Sequence, residues 1–172
     1  NTDGRARSGS IHTVKGTIDT PVFMPVGTQA SVKSLDPKDL TALHAQIILG
    51  NTYHLYLRPG VDLIKDFGGL GKFMGWKGPI LTDSGGFQGF SLGRLMKIDQ
   101  DGIEFTSHLD GSRHLFTPEK VIDYQESLGS DIIMPLDWCA ELPNELDILK
   151  MAVERTTLWA KRSLNFKSND KS

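Results

Sequence analysis

"PILTDSGGFQGF", residues 79–90, is the stretch whose reading decides the fold class. An apolar run stops at Asp83, and a serine, two glycines and the ring of Phe87 follow. A short, continuously apolar run that ends in small or polar residues reads as a parallel strand buried on both faces. Working outward, "VFMPVGT" (22–28), "QIILGNT" (46–52) and "DIIMPLD" (131–137) have the same character, and the four runs end at Thr28, Asn51, Asp83 and Asp137. Helical segments separate them. Asp36 can cap a helix with Pro37 in its first position. Residues 58–69 read as a short helix ending at glycines. Thr117 and Pro118 open another that Gly129 closes, and Asn144 can cap a long one to about Leu164, with Lys161 and Arg162 near its C-terminus.

This alternation, β-α four times, predicts an α/β fold with right-handed crossovers. One interruption, "GIEFTSHLDGSRHLF" (102–116), reads as a hairpin around Asp110-Gly111 inserted after the third strand. Insertions there fall on the face where α/β proteins bind ligands. Four units do not close an eight-stranded barrel, and the ending "NFKSNDKS" reads as a polar connection. Spacing alone leaves both a small open sheet and half a barrel open.

The 172 residues suffice for one domain with a core, and 38% hydrophobic with 23% charged residues suits a soluble globular chain. A net charge of −2 lacks the footprint of a strongly basic nucleic-acid binder. The single cysteine, Cys139, excludes an internal disulfide framework and argues against a zinc–thiolate cluster within the chain. No run is long and apolar enough for a membrane helix, and no apolar signal core is visible, so a cytoplasmic setting without membrane contact is expected.

Parallel strands deliver their C-terminal ends to one side, so Asn51, Asp83 and Asp137 should converge. Two carboxylates at one rim can divide proton transfer and ligand recognition, or can cap helices and bind backbone amides. Gly85-Gly86 beside Phe87 suits a planar heterocycle laid against bare backbone and stacked on a ring; Phe87 reads equally well as core. Guanine fits such a site, because its N1–H and N2–H₂ donors match the two oxygens of a carboxylate such as Asp137. "GGLGKF" (68–73) lacks the residue after lysine that a phosphate-binding loop requires. His108 and His114 read as a metal pair or as exposed strand histidines. Cys139 reads as lining the rim, and Lys15, Lys33 and Arg58 as solvated surface or phosphate contacts.

"TPVFMPVGT", "GNTYHLYLRPG", "LTDSGGFQGFSL", "TPEKVIDYQ" and "LGSDIIMPLD" together resemble the tRNA-guanine transglycosylase family, from about Asp3 to about Leu164. The resemblance implies a zinc-containing (β/α)₈ TIM barrel that exchanges guanine at the tRNA wobble position for a 7-deazaguanine in queuosine biosynthesis. The exchange is a retaining double displacement, with one aspartate attacking the ribose and another managing protons. Residue by residue, Asp83 matches the acid/base aspartate. Ser84, Gly85, Gly86 and Phe87 match the base-binding loop, and Asp137 matches the aspartate that reads the purine edge. Gln88 and Cys139 match pocket-lining positions, and Asn51 is a neighbour of the ribose. "DSGGFQ" with Cys139 is similar to the queuine-type bacterial pattern, which implies preQ1 as incoming base; Trp138 departs from the acidic residue common there.

The family's nucleophilic aspartate and zinc ligands belong to later motifs that are absent from these residues. The expectation is therefore an N-terminal half-barrel over residues 1–172, covering roughly the first four βα units, binding no zinc of its own, inactive alone and prone to self-association. Its partners would be tRNA and the free base. A non-catalytic partner subunit of such an enzyme is the alternative, and the presence of both Asp83 and Asp137 argues against it.

Overall fold

The structure, a computed structural model, describes residues 2–92 and 96–169. It divides into two compact units, residues 1–83 with 126–133 and residues 84–125 with 134–172.

The first unit begins with two hairpins, β1 (Thr2–Asp3) with β2 (Ala6–Arg7) and β3 (Gly9–Thr13) with β4 (Gly16–Thr20). Their short, mostly exposed strands carry no apolar run, and the sequence reading missed them; only Ile18 is fully buried. Then follow β5 (Val26–Gly27), α1 (Pro37–Ala42), β6 (Ile48–Gly50), α2 (Thr52–Leu57), α3 (Val61–Asp66), α4 (Leu70–Met74) and β7 (Ile80–Thr82). The second unit supplies α5 (Gly86–Leu92), β8 (Met96–Ile98), β9 (Ile103–Thr106) and β10 (Arg113–Phe116). Helix α6 (Pro118–Ser127) leads back to β11 (Ile132–Ile133), and α7 (Leu146–Asn169) ends the chain.

The four apolar runs all contribute to one four-stranded sheet, order β11-β7-β6-β5, parallel throughout. The α/β reading holds. The strands are shorter than the runs: of residues 22–28 only Val26 and Gly27 pair, and of 131–137 only Ile132 and Ile133. Outside the ladders the runs are mixed: Leu136 is buried, while Phe23 and Met134 are exposed. Beneath the sheet Leu40, Ile48, Leu55, Ile64, Leu70, Trp76, Ile80 and Leu128 form one core.

Local signals explain most helix ends. Asp36 accepts from the amides of Lys38 and Asp39 while the Asp39 carboxylate accepts from the Asp36 amide, a complete capping box with Pro37 behind it. Gly68 and Gly69, at φ 86° and 97°, end α3 as expected. "GGLGKF" opens α4, where the Leu70 amide donates to the carbonyl of Leu128 at 2.7 Å.

In the second unit β9 and β10 pair antiparallel around the Asp110-Gly111 turn, as predicted, and β8 adds an unforeseen third strand. The Asp110 carboxylate accepts from the hydroxyl of Ser112 at 2.7 Å and from its amide at 3.1 Å. The Ser112 hydroxyl first, with further hydrogen bonds, holds its carboxyl down at about 2. Phe105 and Phe116 meet edge to face, ring centres 4.9 Å apart.

Two helix ends differ from expectation. Asn144 takes the amide of Glu145, and the Glu145 carbonyl opens the α7 ladder, so α7 starts one residue later than an Asn144 cap implies. At the other end α7 runs through residues 165–169, which were read as a connection. The helix is anchored well along its length: Arg162 grips Glu119 through two bonds of 2.7 and 2.8 Å, and Trp159 is buried.

Candidate active site

Asn51 and Asp83 directly follow the parallel neighbours β6 and β7, so the strand directions alone bring them to the same end of the sheet. The Asp83 amide donates to the Gly50 carbonyl at 3.1 Å, fixing where the side chain departs. Its carboxylate is then held twice. Nδ2 of Asn51 donates to Oδ2 at 2.5 Å, and the Thr52 amide donates to Oδ1 at 2.9 Å. The Thr52 hydroxyl also donates to the Asp83 carbonyl at 2.6 Å. Asn51 and Thr52 are buried, at 8% and 0% exposure, while Asp83 is partly open. A carboxylate with fixed orientation and one open side suits proton transfer with a bound group.

Thr52 escaped the sequence reading. Its one signal was its place directly after Asn51, at the start of a helix whose first amides need acceptors. Asn51 caps that helix with its backbone and makes no side-chain cap bond, because its amide is committed to Asp83.

The second unit holds the other predicted residues. Asp137 is not at the last residue of a strand but four residues beyond Ile133, in a segment that is neither helix nor strand. The buried Ser84 hydroxyl donates to Asp137 Oδ1 at 2.7 Å, and the Cys139 thiol donates to Oδ2 at 3.0 Å. The Ser84 oxygen in turn accepts the Gly86 amide at 3.1 Å. Burial first, and then the adjacent Asp137 carboxylate, push the Cys139 thiol up to about 12. Cys139 therefore stays protonated and acts as a donor to Asp137, not as a nucleophile.

The predicted loop 84–87 is only half a loop. The Gly85 carbonyl accepts from the Gly89 amide at 3.0 Å, so the helix begins at Gly86 and Phe87 sits in its first turn. Gly86 is required by close approach: a Cβ there would lie 2.5 Å from the Asp137 carbonyl oxygen and 3.1 Å from its Oδ1. Phe87 is 55% exposed, so its ring is not part of this chain's core. Gln88 follows it, half-buried. Trp138 carries the Arg155 guanidinium 5.7 Å from its ring centre.

Other candidates resolve differently. Lys15, on the surface, donates to Asp131 at 2.9 Å and to the Gly129 carbonyl at 3.1 Å. His114 shares a 2.6 Å bond with Ser112 and stacks on Phe105. Among the described residues no group of three His, Cys, Asp or Glu side chains could hold a metal ion, and the chain's one thiol is committed to Asp137.

The same arrangement of motifs is matched by a family model. The model described as queuine tRNA-ribosyltransferase covers residues 3–172. The chain belongs to this family. Curated queuine tRNA-ribosyltransferases carry the likeness in detail: that of Ruminiclostridium cellulolyticum is 60% identical over 157 residues, 91% of this chain and 42% of the relative. The proteins of Desulforudis audaxviator and Caldanaerobacter subterraneus subsp. tengcongensis are 60% and 61% identical, over 92% of this chain and 43% and 42% of the relatives. The chain thus spans about two fifths of the length of the family members it matches. Among its described residues no helix is long and apolar enough to cross a membrane.

Proposed function

We propose that this chain contributes the base-handling part of a tRNA-guanine transglycosylase, which exchanges guanine at the tRNA wobble position for a 7-deazaguanine such as preQ1. The observation that carries this reading is the Asp137 carboxylate held by Ser84 and Cys139 beside a glycine without room for a side chain. Fixed in this way, its remaining lone pairs can accept the N1–H and N2–H₂ donors of guanine, a pairing that adenine cannot offer. Gly85 and Gly86 admit the flat base, and the exposed ring of Phe87 covers one face.

Asp83 moves protons. Starting protonated, it gives its proton to N9 of guanine as the family's nucleophilic aspartate, which lies outside these residues, bonds to ribose C1′ and guanine leaves; it takes a proton back from N9 of the incoming base as that base bonds to C1′ and displaces the aspartate. Asn51 and Thr52 keep it aimed. The parallel sheet is part of a (β/α)₈ barrel in this reading, in a cytoplasmic setting; the outer edges of β5 and β11, which pair with no further strand among the described residues, would let the chain alone self-associate.

Equilibrium dialysis with labelled guanine and adenine tests the reading. Guanine should bind preferentially, and Asp137→Asn should abolish the preference; equal binding of both bases would sink it. Incorporation of labelled guanine into a tRNA with guanine at the wobble position reads the exchange itself. This chain alone is expected to give no incorporation, and in a full-length family member the change equivalent to Asp83→Asn should lower the rate by about 10²–10⁴.

A further inference from the structure

We infer that Gln125 and Thr156 are positioning residues that hold, from both ends, the segment carrying Asp137; the inference rests on the base-reading role given to Asp137 above. Residues 134–141 form neither helix nor strand. Such a segment lacks ladder bonds to fix its path, so its course depends on whatever groups bind its amides and carbonyls.

Gln125 closes one end. It is 0% exposed, and its side chain forms a matched pair of bonds with Met134: Nε2 donates to the carbonyl and Oε1 accepts from the amide, each at 2.8 Å. This is the exchange of bonds that a neighbouring antiparallel strand would give an extended residue. The second proton of Nε2 goes to the Val121 carbonyl at 3.1 Å, which ties the arrangement to the preceding turn of α6. An uncharged amide buried this deeply is stable only with its partners in place, so the grip is obligatory.

Thr156 closes the other end. Its hydroxyl oxygen, on α7, accepts the Trp138 amide at 3.0 Å, and the neighbouring Arg155 lies over the Trp138 ring. Trp138 stands between Asp137 and Cys139, so this one backbone bond is adjacent to both the carboxylate and its thiol donor. A helix-interior threonine ordinarily returns its hydroxyl to its own preceding turn, as Thr157 does to Val153 at 2.8 Å. Thr156 faces the loop and accepts from it. The tryptophan that departs from the family pattern thus has a place: its ring and its amide tie the base-reading segment to α7. Neither Gln125 nor Thr156 needs to touch the base. They act on Asp137 through the backbone of its neighbours.

The test compares Thr156→Val, Thr156→Ser and Gln125→Met. Three quantities are read: affinity for free guanine, amide hydrogen exchange across residues 134–139, and Tm. Thr156→Val should weaken guanine binding about tenfold and speed exchange at Trp138 to a similar degree, as loss of one ordered hydrogen bond implies. Thr156→Ser should restore both to within about twofold. Gln125→Met should speed exchange at Met134; if it unfolds the chain, Arg155→Ala serves as the milder second probe of the same segment. A Thr156→Val protein with lowered Tm but unchanged guanine affinity and Trp138 exchange would overturn the inference, leaving only a packing role. Absence of guanine binding by the parent protein would overturn the base-recognition reading instead, and exchange at Trp138 would still decide whether Thr156 holds the segment.

Discussion

The hydroxyl of Ser84 lies 2.7 Å from Oδ1 of Asp137. The two residues are 53 positions apart, and their bond gives a carboxylate on an irregular segment a fixed orientation. Removing that donor is the first expected loss. Ser84→Ala should weaken guanine binding by roughly 10–100-fold, the range for a hydrogen bond to a charged group, while Ser84→Thr retains the donor. Calorimetric titration with guanine reads the difference.

Cys139 should resist alkylation. With its thiol pushed up to about 12 by burial and by Asp137, little thiolate exists at pH 8.5. Iodoacetamide should label it roughly 50-fold more slowly than an ordinary exposed cysteine, the scarcity of thiolate being offset in part by its higher nucleophilicity. Asp137→Asn should raise the rate only modestly, because burial is the larger cause. Peptide mass spectrometry over a time course checks both.

Gly86→Ala should displace the Asp137 segment, since the added Cβ would sit 2.5 Å from the Asp137 carbonyl oxygen. Overpacking of this kind costs about 1–3 kcal/mol. Urea unfolding gives the stability, and guanine affinity should fall in parallel. Unchanged affinity would mean the segment can shift without moving the carboxylate.

The Glu119–Arg162 pair makes stability depend on acid. Burial raises the Glu119 carboxyl, but the bonds from Arg162 with further hydrogen bonds outweigh it, and the net shift is downward from 4.5. A depressed carboxyl contributes stability that is fully present above its unfolded value and lost as pH falls through the folded one. The pair is about one-third exposed, so about 1 kcal/mol or less is at stake. Glu119→Gln should lower stability at pH 7 by that amount, and in urea unfolding the difference from the parent should shrink as pH falls below 4.5.

Several things about this protein were determined by its sequence alone. The four apolar runs are strand-length and nearly unbroken, the pattern of parallel strands, so the α/β class was legible. Asp36-Pro37, Gly68-Gly69 and Asp110-Gly111 act within a few residues of themselves, which is why those helix ends and that turn were readable. Asn51 and Asp83 could be placed together because adjacent parallel strands must end on the same side.

Contacts between distant residues were decided only by the tertiary structure. Thr52 shows no unusual residue type; it matters because β6 and β7 bring its amide against Asp83. Gln125 and Thr156 read as ordinary helix positions until the fold lays residues 134–139 against them. The helix start at Gly86 was hidden because glycines signal a loop locally, while the chain here uses their small size to let Asp137 approach. Local chemistry fixes turns, caps and strands, whereas the aim of a carboxylate is set by whichever remote donors the packed chain delivers to it.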